Sequence, residues 1–136
     1  MSAAGLPVIL ETSGSAQFEF WASNLERAGR LAPDTPGLVE GRAGHAGAGG
    51  EVEFTLSIRS DRIEAVRYRF RGSPWIGAAC AFYARLLEGQ PASVRWPPAA
   101  ELAGQLGYPR VRYDEVLIVE DALMAALAAR REVCDE

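Results

Sequence analysis

Glu51-Val52-Glu53-Phe54-Thr55-Leu56-Ser57-Ile58-Arg59 alternates strictly, with Val52, Phe54, Leu56 and Ile58 on one side. A period of two marks a half-buried strand. Ser60-Asp61-Arg62 supplies turn chemistry, and Ile63 to Arg71 reads as the returning strand of a β-hairpin. The return ends in Phe70-Arg71-Gly72-Ser73-Pro74-Trp75, and Trp75 to Glu88 reads as a helix. Ser73 suits the N-cap, Pro74 the first helical position and Gly89 the closing position. A strand thus runs through a tight turn into a helix N-terminus, where backbone N–H groups and partial positive charge gather. The residue at position 73 is therefore presented for chemistry, and here it is a serine.

The 136 residues are 49% hydrophobic and 24% charged, which suits a single domain, 1–136, with a sizeable core. All the basic residues are arginines, the net charge is −4, and no basic run appears, which argues against nucleic acid as a partner. Two cysteines, Cys80 and Cys134, make no disulfide framework. With no secretory leader and no membrane-length apolar run, no membrane association and a cytoplasmic location are expected.

Around the hairpin, residues 1–14 read as a small apolar arm, with a short extended piece at Leu6 to Leu10. Ser15 caps a predicted helix to about Arg27, with Phe18, Trp21 and Leu25 at helical spacing as core residues. Residues 33–50, with two prolines and six glycines, read as a long Gly-rich loop that carries the sole histidine, His45. Arg67, Arg69 and Arg71 share a strand face, solvated and paired with Glu51 and Glu53, or used for partner docking. Cys80 falls in the apolar stripe of the second helix and reads as a small buried hydrophobe. Ala99 to Leu106 is a short helix ended by Gly107, Pro109 holds Tyr108 extended, and Asp114 opens the longest helix, to about Val133. The fold class is α+β: a small antiparallel sheet with helices on one face. A third strand is needed for stability, from Leu6 to Leu10 or from near Val111.

In this order the elements resemble the iron–sulfur cluster assembly scaffolds, the IscU-like proteins and the N-terminal domain of NifU. The likeness runs from about Phe18 to Arg131. It is carried by Asn24-Leu25-Glu26-Arg27-Ala28-Gly29, Gly50-Glu51-Val52, Ile63 to Gly72 and Val119-Glu120-Asp121-Ala122. In that family three cysteines, with an aspartate and a histidine, hold a nascent cluster or zinc. Matched to those positions, Gly49 stands for the first cysteine, Glu51 for the aspartate, Ser73 for the second cysteine, and Asp114 and Glu115 for the histidine and third cysteine. Tyr108 to Arg112 resembles the family's chaperone-recognition segment, keeping Pro109, Val111 and a basic Arg112. Tyr108 replaces its leading leucine and Arg110 its second proline.

Clusters need mostly thiolate ligands, and the matched positions offer a hydroxyl, three carboxylates and a glycine. Cys80 lies seven residues beyond Ser73, about 10 Å along a helix, and Cys134 nineteen beyond Glu115, roughly 28 Å. A conventional iron–sulfur cluster is therefore not expected, nor any other cofactor. The leading reading is a non-enzymatic relative of the scaffolds that acts through protein partners, such as a cysteine desulfurase or an assembly chaperone. The alternative is an oxygen-ligand site in which Glu51, Asp114, Glu115 and His45, beside Ser73, hold a hard divalent ion or iron in transit. Enzymatic chemistry comes third: one histidine supports no Ser-His-Asp set, and the glycines of 41–50 lack a following Lys-Ser/Thr and precede a strand.

Overall fold

In the computed structural model the described residues are 14–45, 47 and 49–134. The N-terminal arm, including Leu6 to Leu10, lies outside them. Helix α1 covers Gly14–Ala22, strands β1, β2 and β3 cover Leu38–His45, Gly50–Arg59 and Arg62–Gly72, and α2 covers Pro74–Leu87. Helix α3 covers Ala99–Leu106, a 3₁₀ turn Arg110–Arg112, and α4 Tyr113–Cys134. The strands form an antiparallel meander in the order β1-β2-β3.

The hairpin forms as its alternation dictates. Ser60 and Asp61 both adopt positive φ, 52° and 61°, the geometry of a two-residue turn whose twist matches the strands. Ile58 faces Ile63 but Ser57 faces Ala65, so Glu64 is an extra residue on β3. That bulge shifts the alternation by one. It sets Ile63, Val66, Tyr68 and Phe70 on the same face as Val52, Phe54, Leu56 and Ile58.

The third strand is neither of the two segments expected. Val111 lies in the 3₁₀ turn, and the strand is Leu38–His45, inside what reads from sequence as a Gly-rich loop. Two of the glycines are there for reasons other than flexibility. A Cβ on Gly41 would stand 2.1 Å from the Ala126 nitrogen and 2.3 Å from the Ala122 oxygen, so the α4 backbone crosses directly over the strand. Gly44 has φ +82°, in the left-handed region that favours glycine.

Helices α4 and α2 cover the apolar face, α4 over β1 and β2 and α2 over β3. Helix α2 is buried almost all round, from Ile76 to Leu87 except Arg85, because α1 also packs against it. The opposite face is half covered by the chain leading into β1. Leu31 N–H donates to Thr55 Oγ1 at 3.1 Å and Ser57 Oγ donates to the Pro36 carbonyl at 2.7 Å, so Thr55 and Ser57 are buried. Helix α1 stops at Ala22, five residues earlier than its periodicity suggests. The chain then extends so that Arg27 to Gly29 bonds to both sides of Tyr68 on the β3 edge. Trp21 is in the core as expected, but Leu25, beyond the helix end, is 64% exposed.

Candidate functional site

Strand β3 delivers the chain to α2 through Gly72, whose φ is +136°. A Cβ there would press on the Ile76 side chain at 2.6 Å and on the Gly49 carbonyl at 3.2 Å. Ser73 then caps α2, its Oγ accepting from Trp75 N–H at 3.2 Å. The same hydroxyl donates to Glu115 Oε1 at 2.6 Å, and Arg112 donates from Nη1 to Glu115 Oε2 at 2.8 Å. The positions matched by resemblance to the second and third cysteines, 73 and 115, therefore lie side by side. Gly49 closes the same end of the sheet, with φ +92° and open space where a side chain would project.

The result is a closed latch: a backbone N–H, a hydroxyl, a carboxylate and a guanidinium bonded in sequence. Glu115 is 15% exposed and each of its carboxylate oxygens has a donor. Carboxylates so paired at the start of a helix are further favoured by its dipole. Such an arrangement ties α2 to α4, and none of its atoms is a soft donor.

The other residues singled out from sequence stand apart from the latch. Glu51 pairs with Arg71 at 3.7 Å, Asp114 is exposed at the head of α4, and His45 Nδ1 accepts from Gly47 N–H at 3.2 Å. Among the described residues no three His, Cys, Asp or Glu side chains are grouped so as to hold a metal ion. Cys80 is fully buried in the middle of α2, and burial pushes its thiol far above the usual range, so it is inert. Of the segment 108–112, Tyr108 is anchored by its hydroxyl, which donates to the Trp75 carbonyl, and Arg112 by Glu115. Pro109, Arg110 and Val111 are exposed, Val111 at 84%.

Two carboxylate nodes stand elsewhere: the pairing of Glu53 with the β3 arginines is as the sequence suggests, whereas its partners Arg42 and Arg30 and the whole Glu88 node were not foreseen. Glu53, at the centre of β2, meets Arg42 of β1 and Arg69 of β3, both directly opposite it in register, and Arg30 from the covering loop. Burial alone pushes its carboxyl up, but hydrogen bonds from Arg69 and Arg42 and the charges of Arg69 and Arg30 outweigh that and hold it below the ordinary carboxylate range. Glu88, the C-cap of α2, is likewise pushed up by burial but held low by Val66 N–H, Arg27 and Arg67. The strand alternation gave the first signal, since Arg67, Arg69 and Arg71 fall on the face of Glu51 and Glu53. No local pattern links Glu88 to Arg27, which is 61 residues away.

No family model matches the chain, and no curated protein matches it in sequence. Solved structures share its fold, three of them as follows. One is named as an iron–sulfur cluster assembly scaffold protein for the SUF system from thermophilic Fervidobacterium islandicum AW-1. It is 16% identical, with 83% of this chain and 95% of that one covered and a TM-score of 0.62. The second is a nitrogen-fixing NifU-like protein (N-terminal) from Brucella abortus, at 18% identity, 85% and 92% coverage and a TM-score of 0.66. The third, a hypothetical protein, matches at 17% identity, 85% and 96% coverage and a TM-score of 0.60. The chain thus shares its α+β fold with a solved iron–sulfur cluster assembly scaffold and a NifU-like N-terminal domain.

Proposed function

We propose that this protein is a non-enzymatic relative of the iron–sulfur cluster scaffolds, with an oxygen latch in the place of the cluster ligands, acting by binding proteins in or near cluster assembly. The observation that carries this reading is the closure of Ser73, Glu115 and Arg112 on one another. The latch holds the ends of α2 and α4 together without an ion, and it satisfies the groups a metal would otherwise recruit.

Two features support a partner-binding role. The segment after α3 is fixed at Tyr108 and Arg112 while Val111 projects into solvent, an arrangement suited to being gripped by another protein. The fold itself is the second, since one solved structure that shares it is named for iron–sulfur cluster assembly and another as NifU-like. The direct test is a calorimetric titration of the purified chain with a purified cysteine desulfurase and, separately, with an assembly chaperone. Saturable binding to either, weakened by Val111→Asp without a change in melting temperature, supports the reading. Absence of binding to both overturns it.

A further inference from the structure

We infer that the outer face of the sheet carries a carboxylate-recognition notch that takes an acidic peptide segment of a partner protein. The notch encloses about 570 Å³ and lies over the β1-β2-β3 junction, where Arg42, Glu53, Arg69, Glu51 and Arg71 present their side chains. Its form follows from register. Arg42, Glu53 and Arg69 make one row across the three strands; the next row is Gly44, Glu51 and Arg71. Gly44 contributes no side chain to its row; a Cβ there would stand 2.2 Å from the Gly50 carbonyl and 3.0 Å from Ile118 of α4.

The charges are layered. Glu53 lies beneath with a side chain 9% exposed, while the guanidinium-bearing side chains above it are 69% (Arg42), 52% (Arg69) and 82% (Arg71) exposed. Toward solvent these three arginines meet one half-exposed carboxylate, Glu51 at 40%, so the notch is net positive although the chain as a whole carries −4. Glu53 also shows what these arginines accept: it takes Arg69 through both Nε and Nη2, at 2.8 and 2.6 Å, and Arg42 through Nε and Nη2, at 3.1 and 2.9 Å. Each arginine closes two nitrogens on one carboxylate oxygen, Arg69 on Oε1 and Arg42 on Oε2, and such charge-assisted bonds are the strong ones. Arg71 holds Glu51 only at 3.7 Å and so has donors to offer a carboxylate from outside. The negative charge of the rest of the surface disfavours a long polyanion such as nucleic acid.

This inference rests on the partner-binding reading only for its cellular meaning. The test reads the notch itself, whereas iron and sulfide loading reads the latch. A fluorescein-labelled decapeptide of alternating Asp and Glu is titrated with the full chain, followed by anisotropy, at about 0.05 and about 0.5 M salt. The expected result is saturable binding that weakens with salt and falls about tenfold or more in Arg42→Ala/Arg71→Ala, the loss of at least one charge-assisted hydrogen bond. Arg95→Ala, on the crossing after α2, leaves it unchanged. Should the double variant fail to fold, Arg71→Ala alone, at an exposed position, serves with the same expectation. No saturable binding, equal affinity in the notch variant, displacement by equimolar inorganic phosphate, or tighter binding of a single-stranded oligonucleotide would each overturn it.

Discussion

Ser73 does two things at once, and the second can be removed while the first is kept. Its oxygen caps α2 and its proton goes to Glu115. Ser73→Ala removes both, at an expected cost of about 1–2 kcal/mol in a denaturant titration. Ser73→Asp keeps the cap but sets a second carboxylate against Glu115, and is expected to be no better than alanine. The latch also predicts a rescue. Gly49→Cys, Ser73→Cys and Glu115→Cys together place thiols at all three matched positions. Position 49 has room for a side chain, although its φ of +92° adds strain. The triple variant is expected to bind zinc stoichiometrically by mass spectrometry while the parent chain does not; equal zinc in both would sink the correspondence of positions. Much of this was legible in the chain. The cap was evident from Ser73-Pro74, and the pairing of 73 with 115 was implied by the resemblance. Arg112 was not: it read as part of the exposed segment, although its i, i+3 spacing to Glu115 was the available signal.

Strand β1 and helix α4 meet at a single point of near backbone contact. Because a Cβ at Gly41 would fall 2.1 Å from the Ala126 nitrogen, Gly41→Ala must push α4 off the sheet. The expected loss is about 3 kcal/mol, at the upper end of overpacking costs, read from the urea midpoint. Gly49→Ala, with nothing within 4 Å, is expected to cost about 1 kcal/mol from backbone strain alone. This contrast explains why the strand was hidden in the sequence. A run of glycines looks like slack chain, because a close approach between elements leaves no trace in local pattern. The hairpin, by comparison, was written in alternation and turn residues, and α3 in its Gly107 stop, which adopts φ +75°. The end of α1 was obscured for the same long-range reason: the pairing of Arg27 to Gly29 with Tyr68 draws the chain out of the helix.

Across the molecule, the buried Glu53 and the partly buried Glu88 make stability depend on pH. Both Glu53 and Glu88 have carboxyls held below their ordinary value in the folded state. The unfolded chain therefore binds protons first as pH falls. The stability these groups contribute is full above the unfolded value of about 4.3 and drains away as pH drops through the lower folded values. Urea midpoints should be flat from about pH 7 to 5 and fall below about pH 4, and Glu53→Gln should flatten that fall while lowering the plateau. A midpoint that rises on acidification would contradict the assignment.

On the proposed reading, the Ser73–Glu115–Arg112 latch stands where the resemblance places cluster ligands. Anaerobic incubation of the purified chain with ferrous iron and sulfide, followed by visible absorption and iron and sulfide analysis after desalting, tests it most directly. The predicted outcome is a colourless protein with iron far below one equivalent. Charge-transfer absorption with stoichiometric iron and sulfide retained on the chain would contradict it.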